Sequence, residues 1–461
     1  MLPDLLADVQ NPASEYRGAP FWAWNGELTT DELRRQVCHM HAMGLGGFFM
    51  HSRVGLATPY LSEQWMECIR ACVEEAEHLG MRAWLYDEDR WPSGAAGGLV
   101  TKEPAYRQRQ LRVYELNRKP TEEEAKGALA VFRAVMDGNV VRSAKRLDPA
   151  ETVPVPVDDE KILVFQVVER PCSSWFNGYT YLDTMNHEAV AAFLRTTHEA
   201  YAKRFEAVLG SVIPGIFTDE PNYGPKGERG RAGDGASIRA VPWTVRLPDI
   251  FQQRYGYDLV NYLPELFYDT PDQSSAACYH YNDCATHLFV DAFARLIGEW
   301  CELHGVEHTG HVLGEETLTS QDSVVGSAMR FYEYMQAPGM DLLTQFRREF
   351  DTAKQVSSVA RQFGRRWRLT ETYGCTGWDF PFEGHKALGD WQAALGINLR
   401  CQHLSWYTMK GQAKRDYPAS IFYQSPWWTY YNKVEDYFAR INAVMTRGTE
   451  TRHVLVVHPI E

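Results

Sequence analysis

Two short segments each carry a glutamate straight out of an apolar run. "VIPGIFTDEPNYG", Val212 to Gly224, ends its apolar stretch in Asp219 and Glu220 with Pro221 behind them, and "RRWRLTETYG" delivers Glu371 with Tyr373 two residues on. A protonated carboxyl assists a leaving oxygen, and a second, ionised carboxylate activates water or attacks the anomeric carbon; the pair is the chemistry of glycoside cleavage. The apolar "IPGIF" and the like charge of Asp219 favour a protonated Glu220, which suits the acid. Tyr373 is placed to donate a hydrogen bond that keeps Glu371 ionised. A single carboxylate at a strand end usually serves as a salt-bridge or capping partner, so it is the pairing that points to catalysis.

The elements that must position these residues follow a recurrence. Helical patterns end in Gly44, Gly80, Gly210, Gly305, Gly364 and Gly396, and each glycine is followed by a short apolar run with polar residues at its far end. Glycine just past a helix supplies the left-handed closing residue, and the runs read as buried strands. Thr29 with Glu32, Ser62 and Asn186 are expected to open helices. With "APFWAWNG" as a first strand and "GMDLLTQ" as a sixth, eight βα units predict a (β/α)8 TIM barrel. A doubly wound sheet would carry a glycine-rich phosphate loop after its first strand, and "WAWNGELTT" is not one. Residues 106–173 read as a small β-rich insertion between strands 3 and 4 of a barrel spanning 1–461. "GPKGERGRAGDGAS", Gly224 to Ser237, reads as a solvated loop or, as the alternative, a lid.

Side chains at the C-terminal ends of barrel strands converge on one mouth. In order these are Trp22, Trp24 and Asn25; His51 and Arg53; Asp87, Glu88 and Asp89; Asp219 and Glu220; His308 and His311; Gln345; Glu371 and Tyr373; His403 and Trp406. Trp91 and Trp378 follow strand ends closely. The ring of carboxylates, imidazoles and indoles suits a carbohydrate, whose C–H faces stack on aromatic rings. Of the adjacent Asp87 and Glu88, Asp87 is assigned to substrate hydroxyls and Glu88 to structure; Glu315 and Glu316 are the reserve for the base. His308 and His311 in "HTGH" fall on opposite faces of a strand, so no histidine-bound metal site is expected.

The net charge of −13 and the absence of a basic stripe exclude a nucleic-acid binder. No run of 18 apolar residues is present, so no membrane partner is expected. The start "MLPDLLADVQNPASEYRG" lacks a signal-peptide pattern and the nine cysteines are scattered, which predicts a reduced cytoplasmic protein.

The blocks "PFWAWNGELTTDELRRQV", "GLGGFFMHSRVGLATPYLSEQWM", "LYDEDRWPSGAAGG", "IFTDEPNYG", "HTGHVLGEE", "LTETYGCTGWDF" and "YPASIFYQSPWW" together resemble bacterial glycosyl hydrolases related to the α-L-rhamnosidases of glycoside hydrolase family 106. The resemblance runs from about Pro20 to Pro459. It implies a TIM-barrel catalytic domain, Glu220 as acid, Glu371 as partner, an inverting mechanism and a calcium ion near the sugar, with no ligands assigned. It also implies β-sandwich domains after the strand "VLVVHPI"; the chain stops there, and those domains are expected to be absent. The alternatives to a glycosidase are a barrel or truncated fragment that binds sugar without cleaving it, and a metal-dependent hydrolase of the same fold.

Overall fold

Parallel strands covered on both faces must be apolar along their whole length, and in this computed structural model every residue of β1 (Phe21–Trp24) and β2 (Gly47–Ser52) is buried. The structure describes residues 2–148, 153–231, 237–272, 274–344, 349–448 and 450–460. The remaining strands in chain order are β3 (Arg82–Tyr86), β4 (Arg109–Leu116), β5 (Ala130–Asp137), β6 (Val140–Arg146), β7 (Glu160–Glu169), β8 (Gly215–Asp219), β9 (Glu228–Arg231), β10 (Ser237–Trp243), β11 (Glu307–His311), β12 (Ala337–Asp341), β13 (Leu369–Thr372), β14 (Leu399–Gln402) and β15 (Ser405–Trp406).

The barrel runs β1-β2-β3-β8-β11-β12-β13-β14, with parallel pairing throughout, and β15 pairs with β1. The eighth staves are thus two short segments, β14 on β13 and β15 on β1, with His403 and Leu404 between them. The Ala19 N–H bonds to the Arg400 carbonyl at 2.9 Å and helps draw the two edges together. The expected TIM barrel is therefore present. Phe21, Phe49, Trp84, Tyr86, Phe217 and Leu369 fill its interior, a packed core rather than a pore.

The six helix-closing glycines all have positive φ, from +65° at Gly305 to +103° at Gly396. Gly80 shows the consequence: in the left-handed conformation it closes the Glu63–Leu79 helix and turns the chain directly into β3. Ser62 and Asn186 cap their helices as expected. Thr29 precedes its helix but makes no side-chain cap bond, and the Glu32 carboxylate, the other half of the expected capping box, accepts from Arg35 and Gln36.

A second, antiparallel sheet has the order β6-β5-β7-β4-β10-β9. Its period-two pattern is clear in β5, where Ala130, Phe132, Ala134 and Met136 are buried and alternate with more accessible residues. Strands β4 to β7 come from the connection between β3 and β8. Strands β9 and β10 come from the next connection, where a loop was expected, and β10 pairs with β4 along its whole length. Residues 232–236 of that segment lie outside the described residues. "VLVVHPI" forms no strand, and Val454, Leu455, Val456 and Val457 are exposed. Among the described residues, no helix is long and apolar enough to cross a membrane, and all nine cysteines are free thiols.

Candidate active site

Strands β8 and β11 lie in register with Asp219 beside His311. Their approach depends on Gly310: its φ is +122°, and a Cβ there would stand 1.8 Å from the Thr218 carbonyl oxygen. The strand's alternation sends His308 outward, where burial pushes its pKa down to about 3, and His311 inward against Phe217. The two histidines of "HTGH" are separated as their spacing predicts.

His311 Nε2 lies 2.8 Å from Glu371 Oε2 and 3.8 Å from Asp219 Oδ1. Burial works to lower the imidazole's pKa, but the Glu371 hydrogen bond and charge, with the Asp219 charge, lift it well above the ordinary value. The shift favours the protonated imidazole, whose Nε2–H donates to the Glu371 carboxylate. Burial acts to raise the Glu371 carboxyl, and the His311 bond holds it below the ordinary value instead; His403 Nε2 stands 3.6 Å away, but burial pushes that imidazole's own pKa down to about 3, so it adds little positive charge. Asp219 accepts from the Tyr86 hydroxyl at 2.6 Å, and burial with the Glu371 charge pushes it up to about 6. His51 stacks on Tyr86, ring centroids 4.1 Å apart, with Nε2 3.9 Å from Asp219 Oδ2.

Glu220 sits where the chain leaves β8, at φ +48°, its N–H bonded to the His311 carbonyl at 3.0 Å. Burial, then the Asp219 charge, push its pKa up to about 8. Tyr373, Cys375 and Tyr417 also have positive φ; non-glycine residues held this way carry backbone strain, which concentrates at functional sites. A cleft of about 310 Å³ is lined by Glu220, Glu315, Glu316, Asp341, Leu343 and Cys375 among others. Arg53 lies under an aromatic roof, its guanidinium carbon 4.4 Å from the Trp91 ring centre, 5.2 Å from Tyr417 and 5.7 Å from Trp406, with Nε 3.5 Å from Asp416 Oδ2.

The structure thus brings together Glu220, Glu371, Asp219, His311, His51, His403, Arg53, Trp91 and Trp406. It moves others away. On β1, Phe21 and Ala23 face the barrel interior, so Trp22 and Trp24 face the helices: Trp22 Nε1 donates to Gln36 at 2.8 Å and Trp24 packs edge-on against Trp65. Neither indole reaches the mouth. Asn25 ties down the segment after β15 through two hydrogen bonds with the Thr408 backbone. Asp87 is fully buried and accepts from Ser93 and Thr218, which leaves it no role with substrate hydroxyls. Glu88 is structural as expected, taking four backbone N–H bonds from Asp89, Gly94, Ala96 and Gly97. Tyr373 donates to the His385 carbonyl at 3.1 Å, not to Glu371; His311 supplies that bond. Trp378 is 38% exposed on the segment beyond β13.

Asp341 is the residue the sequence reading passed over. It ends β12 beside Glu371 in register. The sixth strand's end was placed at Gln345, which lies outside the described residues; the signal that marks Asp341 is an acidic residue closing the apolar run "APGM". Glu315, held in reserve for the base, is instead bound by the Tyr332 hydroxyl and the Asp341 N–H.

Asp219, His311 and Glu371 present ligand atoms within 4.8 Å of one another. Calcium takes about six to eight oxygen ligands. This set offers an imidazole already bonded to one of the two carboxylates, so it does not fit calcium, and no step is derived through a metal.

Fold and site together define a TIM barrel whose mouth gathers carboxyls, imidazoles and indoles around a cleft. No family model matches the chain. Among solved structures it is similar to a rhamnosidase from a Novosphingobium strain, at 14% identity and TM-score 0.68 over 96% of this chain and 61% of that one. It is also similar to a beta-galactosidase from the Antarctic haloarchaeon Halorubrum lacusprofundi, at 14% identity and TM-score 0.52 over 92% of this chain and 58% of that one. A curated Formosa agariphila protein provisionally named beta-glucuronidase is 20% identical over 98% of this chain. The chain spans 42% of that relative's length.

Proposed function

We propose that this chain is a glycoside hydrolase that removes a terminal sugar from an oligo- or polysaccharide, with an α-L-rhamnoside as the substrate tested first. The observation that carries the reading is the opposed protonation of two glutamates at the ends of the fourth and seventh strands. Glu220 is pushed up to about 8 and Glu371 is held below its ordinary value. Carboxyls driven apart in this way divide into acid and ionised partner. The names of the similar proteins, a rhamnosidase, a beta-galactosidase and a beta-glucuronidase, support the same class.

In this reading Glu220 gives its proton to the glycosidic oxygen as the bond breaks. Glu371 stays ionised through the His311 bond and activates water as the base. Asp219, tied to Tyr86, adds negative charge near the developing oxocarbenium ion. Trp91, braced by Arg53, offers the sugar an aromatic face.

Methyl glycosides of rhamnose, galactose and glucuronic acid, whose basic leaving oxygen needs a proton from an acid, incubated with the chain and with its Glu220→Gln variant, test the proposal. Turnover of one of them by the parent chain, lost in the variant, supports it. Binding without turnover would make the chain a carbohydrate-binding barrel, and turnover abolished by a chelator would make it a metal-dependent hydrolase.

A further inference from the structure

We infer that Asp341 is a third carboxyl of this site, one that binds a hydroxyl of the sugar held between Glu220 and Glu371. The inference rests on the glycosidase reading for the identity of its ligand, and on a contrast among the buried acids for its substance. Asp87 is satisfied by Ser93 and Thr218, Glu88 by four backbone N–H groups, Glu315 by Tyr332 and a backbone N–H, Asp219 by Tyr86 and Glu371 by His311. Asp341 receives no such bond: its Oδ1 is buried without a partner.

A buried acceptor left unpaired opposes folding, and structural acids in native proteins are paired. Glu307 Oε2 also lacks a partner, but Glu307 begins β11, at the end of the strand away from His311, whereas Asp341 lies in the wall of the cleft that Glu220 also lines. Its strand neighbour in register is Glu371. A group so placed faces the ligand from the side of the ionised partner, and a sugar supplies the O–H donors it lacks. Burial and the nearby Glu371 charge hold its pKa well above the ordinary carboxylate value; a sugar hydroxyl, both donor and acceptor, can pair with the group in either protonation state.

The test uses the full chain with the glycoside it hydrolyses and a set of monodeoxy versions of that glycoside, together with Asp341→Ala and Asp341→Asn. Asp341→Ala is expected to lower kcat/KM by about tenfold or more, as sites built to hold a substrate hydroxyl lose when the pair is broken. One deoxy substrate should be poor for the parent chain yet suffer no further loss in Asp341→Ala, and Asp341→Asn should recover part of the rate because its amide still pairs with a hydroxyl. The melting temperature of Asp341→Ala should hold or rise, since a buried acceptor without a partner is removed. Unchanged deoxy penalties in Asp341→Ala at every position, or a variant with full activity, would overturn the inference. If the parent chain cleaves no glycoside, the glycosidase reading falls, and sugar titrations followed by NMR decide the rest: affinity weakened in Asp341→Ala but not in Asp87→Asn upholds the hydroxyl contact, and equal affinity in all three proteins overturns it.

Discussion

His311 Nε2 stands 2.8 Å from Glu371 Oε2, joining the end of β11 to the end of β13 past the intervening β12. This contact lifts the imidazole's pKa well above its ordinary value and holds the glutamate's below, while burial and the Asp219 charge push Glu220 up to about 8.

The first prediction follows from that contact. With His311→Gln the cation is gone and Glu371 rises toward or above its ordinary value. The acid limb of the pH dependence of kcat/KM marks protonation of Glu371, so it should move to higher pH, by about one to three units for the loss of an adjacent opposite charge. An unmoved limb would assign the acid limb to another group.

Glu220 controls the opposite limb. An acid must be protonated to act, and its proton leaves as pH rises through about 8. Above the acid limb, activity should therefore hold up to that pH and fall beyond it, with the carboxyl cluster titrating as a coupled set. Glu220→Gln should keep the melting temperature, remove the alkaline limb and slow turnover of an unactivated glycoside by roughly 10²-fold or more. Near-normal turnover would withdraw the acid role.

Trp24 and Trp91 should respond in opposite ways. Trp24 is fully buried against Trp65, and its replacement by alanine should cost about 3–5 kcal/mol of stability. Trp91 is half-buried at the mouth over Arg53; its alanine variant should weaken sugar binding more than it lowers the melting temperature. Melting curves set beside a ligand titration read both effects.

The anomer of the first-formed product separates two roles for Glu371. As a base it gives a sugar of inverted configuration, and as a nucleophile it gives one of retained configuration. Inversion is expected, from the resemblance to the inverting rhamnosidases, and NMR within the first minutes of reaction observes it. Glu371→Gln should abolish turnover in either case.

The alternation of helix, glycine and apolar run is local information. It was enough for the barrel, because burial on both faces demands unbroken apolar strands and each return to the sheet needs a left-handed residue, as at Gly80. The glutamates after "TD" and "LT" were legible for the same reason: a carboxyl closing a buried strand is a local anomaly. Facing was not legible. Trp22 and Trp24 differ from Phe21 and Ala23 by one position along β1, and a shift of one residue sends a strand side chain to the opposite layer. The neighbours of Asp87, Tyr373 and Asp341 were hidden too, since Thr218, His385 and Glu371 belong to other elements and meet them only in the folded barrel. The pairing of β10 with β4 joins two separate connections into one sheet, which neither segment announces. Residue type and strand position determined which segments end at the barrel's rim; facing, charge state and pairing came from tertiary contacts, because a pKa depends on what stands within a few ångströms and the amount of water that is excluded.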